Sequence, residues 1–211
     1  LSADFRLKPH LFEQWYGTEH PHPELCSEAV YGLCEFHREE IRQTSLVAVP
    51  GCNSTTANFA IAPLTAENLL GDNIVVHCIT GISGAGRSAK VNNLYSEVNE
   101  NYVPYSLAGT HRHTQEIEDL IGRVEAVMQA TGDKQQVLNN LKTHNDHSEF
   151  KTGQVSFSPY RVPMTRCEMA SVYVRPERTI STREVLDLLH SFYQHEPLIV
   201  VQDTLPQSKA V

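Results

Sequence analysis

Apolar residues in this chain recur with two different periods, and they sort it into strands and helices. Ile74-Val75-Val76-His77-Cys78-Ile79-Thr80 is an apolar, β-branched run that reads as a strand. Val47–Val49 with Leu46 reads as a short buried strand. From Ser54 the apolar positions Ala57, Ala60, Ile61 and Leu64 fall at i, i+3, i+4 and i+7, which is helical spacing. Pro63 is expected to kink that helix or start a second one. Ile117, Leu120, Ile121, Val124, Val127 and Met128 mark an amphipathic helix. Gln154–Arg161 and Cys167–Arg175 read as two strands flanking Pro163. A helix is predicted over Thr182–His195, with Val185, Leu188, Leu189 and Phe192 inward, and a last strand over Leu198–Val201.

Between these runs the pattern is weaker. Residues 1–45 read as polar and loop-rich, broken by Pro9, Pro21 and Pro23, with a short apolar patch at Val30–Leu33 before a charged run from Glu35 to Arg42. Residues 131–153 are polar, with a helix expected around Gln135–Leu141 and a loop. Helices and strands alternate, and then strands pair in the second half. This predicts one α+β domain: a mixed, mostly antiparallel sheet with helices on one face. There is no internal repeat and no low-complexity tract.

Composition narrows the functional class. The 211 residues carry a formal net charge of −8, and the Lys and Arg residues form no run, which argues against a nucleic-acid partner. No apolar stretch is long enough to span a bilayer. The five cysteines are odd in number and contain no CxxC pair. That argues against a disulfide framework or zinc ribbon and for a reducing, cytoplasmic setting. Of the eleven histidines, His20, His22, His144 and His147 lie in polar surroundings and read as surface residues, and no metal site is expected. The chain begins Leu1-Ser2-Ala3-Asp4-Phe5-Arg6, without an initiator Met, and reads as part of a longer protein.

The candidate chemistry starts at Pro50-Gly51-Cys52-Asn53-Ser54-Thr55. A thiol at the first turn of a helix meets free backbone N–H groups and the positive end of the helix dipole, which favour the thiolate nucleophile. The competing reading is a small buried hydrophobe. A cysteine nucleophile needs a proton-transfer partner. His111-Arg112-His113-Thr114-Gln115-Glu116 precedes the long helix, with Thr114 as its expected N-cap. Positive potential there keeps a histidine neutral and available as a base. If 111–113 is extended, His111 and His113 point one way and Arg112 the other. Glu116 either pairs with His113 or complements the helix dipole. Ser83-Gly84-Ala85-Gly86-Arg87 follows a strand and is small enough for backbone N–H groups to approach an anion or cofactor. It is not the GxGxxG dinucleotide fingerprint. Arg87, Arg112, Arg161 and Arg166 are candidate anion clamps, Arg166 because its apolar context demands a partner.

Taken in order, these motifs resemble the catalytic domain of the N-acetyl-gamma-glutamyl-phosphate reductase family. Leu1–Leu7 resembles the segment joining that family's two domains, and Ala29-Val30-Tyr31-Gly32-Leu33-Cys34-Glu35 its YGLPE motif. Pro50–Thr55 resembles the active-site signature, and Ser83–Arg87 and His111–Glu116 its SGAGR and HRHTPE motifs. Pro163-Met164-Thr165-Arg166 resembles its late PMTR motif. Cys34, Gln115 and Cys167 depart from the family's Pro, Pro and Gly, and Asn53 from a commoner aromatic.

The resemblance implies a glyceraldehyde-3-phosphate-dehydrogenase-like C-terminal fold. Residues 1–211 would be the catalytic and dimerisation domain of a two-domain enzyme, and the NADP-binding Rossmann domain would lie outside this chain. It implies attack by Cys52 on an acyl phosphate, loss of phosphate, reduction of the thioester by NADPH, and release of N-acetylglutamate semialdehyde. His113, or else His111, would be the acid/base, with Glu116 orienting it. Arg112, Arg166, Arg87 and Asn53 would contact substrate or the developing oxyanion, and Ser83, Gly84, Ala85 and Gly86 the cofactor. A homodimer or homotetramer is implied, and the isolated chain is expected not to turn over. The alternatives are an aminoadipyl-phosphate reductase of lysine biosynthesis, aspartate-semialdehyde dehydrogenase, and a dimerisation-only module.

Overall fold

The computed structural model describes residues 1–132, 155–176 and 178–209. In chain order the elements are α1 (Pro9–Tyr16), β1 (Val30–Tyr31), α2 (Cys34–Gln43), β2 (Val47–Ala48), α3 (Cys52–Ala66), β3 (Ile74–Thr80), α4 (Tyr95–Val98), β4 (Val103–Pro104), α5 (His113–Thr131), β5 (Val155–Arg161), β6 (Glu168–Tyr173) and α6 (Thr182–Tyr193). The larger sheet runs β4-β5-β3-β6. β3 pairs parallel with β5 and antiparallel with β6, while β4 pairs antiparallel with β5. This is the mixed, mostly antiparallel sheet that the sequence predicts. A parallel pair, β1 and β2, stands apart from it.

The strand period decides what faces what. Ile74, Val76 and Cys78 of β3 and Val155 and Phe157 of β5 point to the face covered by α3 and α5, where they pack with Ala57, Ile61, Ile117 and Ile121. Each such fully buried branched or aromatic side chain contributes about 1.5–3 kcal/mol. The opposite sides of α3 and α5 present Ala62, Ala66, Leu120 and Val124 to a second cluster with Phe36 of α2 and Tyr193 of α6. The helices thus lie on one face of the sheet, in two layers. Val75, Met169 and Tyr173 remain exposed on the other face.

Several expectations are corrected. Residues 1–45 are not mainly loop: Pro9 at the first helical position starts α1, and the charged run forms α2, burying Phe36 and His37. His20 is buried, its Nδ1 accepting from the His22 amide and its Nε2 3.1 Å from the Asp4 carbonyl oxygen. Leu198–Val201 forms no strand; Ile199 and Val201 pack on the outer cluster while Leu198 and Val200 face solvent. Alternation there reflects one side laid on the core with no strand edge to pair with. The expected helix at Gln135–Leu141, together with His144 and His147, lies outside the described residues. Among the described residues no helix is long and apolar enough to cross a membrane.

Pro63 does not break α3. Proline removes the N–H that would bond the carbonyl of residue 59, and the Tyr193 hydroxyl donates to that Phe59 oxygen at 2.6 Å. Tyr193→Phe is therefore expected to cost about 1–2 kcal/mol, because a part-buried carbonyl loses its donor, and to lower the melting temperature by roughly 2–8 °C. Restoring the donor with Pro63→Ala in the same chain is expected to shrink that loss. Equal costs of Tyr193→Phe in both backgrounds, measured by thermal unfolding, would refute the pairing.

Candidate active site

Cys52 is the first residue of α3, with Gly51 as N-cap. Gly51 must be glycine because a Cβ there would lie 2.2 Å from His113 Nε2. The imidazole is thus laid directly over the residue that precedes the thiol. The loop is held from below by Glu116, whose side chain is fully buried. Its Oε2 accepts from the Gly51 amide and from the Tyr31 hydroxyl, each at 2.9 Å, and lies 2.9 Å from Ser54 Oγ. Its Oε1 accepts from Arg6 Nη1 at 3.1 Å. Three segments far apart in sequence thus meet on the carboxylate of a fourth.

Both histidines sit above it. His113 is the first residue of α5 and buried. Its amide donates to His111 Nδ1 at 3.1 Å, so a neutral His111 carries its proton on Nε2. The rings lie 4.4 Å apart between centroids. Burial is the first cause that pushes both down to about 3, followed for His111 by His113 and Arg112, and for His113 by Arg112 and Arg6. Both are neutral at physiological pH, as the sequence predicts, though burial rather than helix polarity leads. His113 Nε2 lies 3.8 Å from Glu116 Oε1, and its Nδ1 is buried with no hydrogen-bond partner. The segment is not extended: Arg112 is helical and caps α5 in place of Thr114, whose hydroxyl is buried without a partner.

Helix polarity does not hold the Cys52 thiol as a thiolate. Cys52 reaches solvent on one side, but the protein on its other side is dense. Burial pushes the thiol up to about 11, and Glu168, through charge and hydrogen bond, adds to it. The amides of Asn53 and Cys52 pull the other way, as helix polarity predicts, but they are outweighed.

Glu168 is the residue that sequence reading missed. The sheet register aligns Arg161, Thr80 and Glu168 in one row across β5, β3 and β6, on the covered face next to the α3 N-terminus. The same side of β6 carries Ala170 and Val172, which pack into the core. A carboxylate in phase with core positions was the available signal. Arg161 was one of four possible clamps, and the structure singles it out. Its guanidinium lies over the Tyr105 ring, 5.9 Å from the centroid, and bonds Asn93 Oδ1, while its Nε is buried with no hydrogen-bond partner. A pocket of about 210 Å³ opens there, lined by Lys90, Arg161, Asn93, Tyr105, Gly84 and Ala85. Tyr105 links this pocket to α3, because its hydroxyl accepts from Asn53 Nδ2 at 3.4 Å.

The other expected site residues divide. Cys52, Asn53, His111, His113 and Glu116 gather at the α3 N-terminus. Arg87, Arg112 and Arg166 are exposed, and Arg112 lies over the Tyr16 ring. The Arg166 charge needs no buried partner after all, because the turn between β5 and β6 carries it into solvent. Ser83 and Gly84–Gly86 form an exposed turn. Gly84 is required by its neighbour Thr80, whose Oγ1 would lie 2.8 Å from a Cβ, and Gly86 by its φ of +76°.

An exposed cysteine at a helix start, two buried imidazoles and a pocket lined by Lys90 and Arg161 thus lie at one end of the sheet and α3. The family described as semialdehyde dehydrogenase, dimerisation domain, matches residues 52–211, and the chain belongs to it. The N-acetyl-gamma-glutamyl-phosphate reductase of Thermus thermophilus is 42% identical over 210 residues, covering 100% of this chain and 56% of that protein. The reductase of the same name from Lachnoclostridium phytofermentans is 38% identical over 203 residues, covering 95% of this chain and 51% of that protein. The chain thus spans about half the length of these relatives. Among solved structures, aspartate semialdehyde dehydrogenase II from Vibrio cholerae is similar with a TM-score of 0.49 and 18% identity, over 78% of this chain and 49% of that one.

Proposed function

We propose that the protein carrying this chain reduces N-acetyl-gamma-glutamyl phosphate to N-acetylglutamate semialdehyde through a thioester on Cys52. The observation that carries this reading is the convergence on the α3 N-terminus of an accessible thiol, His113 against Gly51, and a pocket holding Lys90 and Arg161. The reductase names of the relatives support this substrate over its aminoadipyl counterpart.

The Cys52 sulfur attacks the acyl carbon, and phosphate departs. The Lys90 and Arg161 cations hold the substrate's anionic end, Arg161 through the Nε that otherwise lacks a partner. The Asn53 amide and the start of α3 face the developing oxyanion. His113, or His111 beside it, supports the oxygen of the tetrahedral species as a neutral donor. An NADP nicotinamide supplies the hydride that reduces the thioester when it is bound. The exposed turn Ser83–Gly86 fits an approach of that kind from outside this chain, and its residues would contact the cofactor. The unpaired cysteines support a cytoplasmic setting.

The test is incubation of full-length protein with the acyl phosphate and no reductant, followed by mass spectrometry. The expected result is one added acyl group on the Cys52 peptide. An adduct elsewhere, or none while turnover proceeds, refutes the reading.

The same protein is proposed to be a homodimer or homotetramer that uses the uncovered sheet face. Val75 and Tyr173 lie side by side there, with Met169 next to Ile79 two same-face pairs further on, past His77 and Ser171, and Val75, Tyr173 and Met169 are exposed. Tyr173→Glu on this face is expected to halve the apparent mass in sedimentation while leaving the fold intact. A variant that sediments as wild type does would exclude this face.

A further inference from the structure

We propose that the small pocket between the 82–85 turn and α4 receives the N-acetyl group of the substrate, and that Val98 sets the size of acyl group it admits. The inference rests on the acyl-phosphate reading above and extends it to the far end of the same substrate. The pocket has a volume of about 90 Å³. Ile82, Val98 and Met164 give it apolar walls, and Asn93, Asn99 and Thr165 supply its polar edge. Two backbone bonds fix one wall. The Ile82 amide donates to the Met164 carbonyl at 2.8 Å, and the Ser83 amide to the Thr165 carbonyl at 3.1 Å. The other wall is α4, a four-residue helix whose Tyr95, Ser96 and Glu97 are exposed, while Val98 is only 3% exposed. Val98 is thus the side chain that α4 turns inward, and it turns into this pocket.

Position singles the pocket out. It shares Asn93 with the cationic pocket that holds Lys90 and Arg161. The Asn93 side chain is held at both of its polar atoms: Oδ1 accepts from Arg161, and Nδ2 donates to the Ser88 carbonyl at 3.2 Å. The two pockets therefore adjoin at one fixed side chain. The substrate is built the same way. Its carboxylate and its acetamido group hang from a single carbon atom, so the sites that receive them must adjoin. A carboxylate on the free Nε of Arg161 leaves the acetamido group to the neighbouring pocket.

The chemistry of the walls selects the occupant. None of the described lining residues carries a charge, so a phosphate or carboxylate finds no counter-ion there. An acetyl group brings one methyl for the apolar walls and one amide for the polar edge, and entry of the methyl removes apolar surface from water. A cavity of this size leaves little room for a longer acyl chain, and α4 limits it through Val98.

The test is kcat/KM of full-length protein for reduction of N-formyl-, N-acetyl- and N-butyryl-glutamyl phosphate. Wild type is expected to prefer N-acetyl to N-butyryl by about tenfold or more, which is the scale of discrimination a hydrophobic pocket gives for added methylenes. Val98→Phe fills the pocket and is expected to lower kcat/KM for N-acetyl about tenfold, with N-formyl staying within about threefold of wild type. Val98→Ala enlarges the pocket and is expected to bring N-butyryl within about threefold of N-acetyl. A wild type that does not distinguish N-acetyl from N-butyryl overturns the proposal. So do Val98 variants that change all three substrates by one factor, as a merely structural role of Val98 would. Should Val98→Phe not fold, Val98→Ala, which only removes atoms, decides alone, and an unchanged preference for N-acetyl overturns the proposal. The acyl adduct on Cys52 is scored separately. No adduct in wild type removes the thioester reading and this inference with it; an adduct without dependence on acyl size removes the role of the pocket alone.

Discussion

Full-length protein carrying Cys52→Ala is expected to lose acyl-phosphate reduction by roughly 10³-fold or more, with its fold unchanged. The size follows from chemistry. Without the sulfur no thioester forms, and the surviving groups can bind the substrate and polarise its carbonyl but cannot replace the nucleophile. The silence of the fold follows from place. Cys52 opens α3 with its side chain reaching solvent, and alanine is the best helix former. Stability is therefore expected to stay within about 1 kcal/mol of wild type. Steady-state turnover and thermal unfolding, measured on the same preparation, check both halves. Turnover within tenfold of wild type would remove Cys52 from the chemistry.

Glu116→Ala is expected to act on the fold instead, at about 3–5 kcal/mol, the cost of removing one partner from a buried ion pair. Arg6 loses its partner with its side chain only 8% exposed. The Tyr31 hydroxyl and the Gly51 amide lose their acceptor in the same stroke, and Ser54 loses a neighbour. For a chain of this size the melting temperature is expected to fall by roughly 6–20 °C. Glu116→Gln keeps an acceptor oxygen without the charge and is expected to fall between. Because Gly51 hangs from this carboxylate, both variants are also expected to slow labelling or acylation of Cys52. A melting point within 2 °C of wild type for Glu116→Ala would show that the four segments are held by something else.

The role of Glu116 shows where sequence reading stops. It falls in the first turn of α5, where an acidic residue commonly does no more than face the helix dipole. Nothing in the local pattern says that Arg6, Tyr31 and Ser54 converge on it across up to 110 residues. Pro63 is a similar case, since its local effect is to break a helix and a tyrosine 130 residues away satisfies the freed carbonyl. Arg166 looked buried because its neighbours in sequence are apolar, but of these Val162 alone is buried, and the turn between β5 and β6 leaves Pro163, Thr165 and Arg166 in solvent.

The chain alone determined whatever depends on period and on residue type: the runs that become β3, β5 and β6, the faces of α3 and α5, and the placing of a thiol at one helix start and a pair of histidines at another. These are short-range properties, set by the backbone geometry of neighbours in sequence. That β3 comes between β5 and β6 was decided by the fold. Tertiary structure decided the thiol's ionisation, the carboxylate beside it and the cations that face its pocket. The helix terminus does pull the thiol toward ionisation, but burial and the charge of Glu168 act more strongly. That charge comes from β6, more than a hundred residues downstream, and an electric field adds contributions by distance in space and not by separation along the chain.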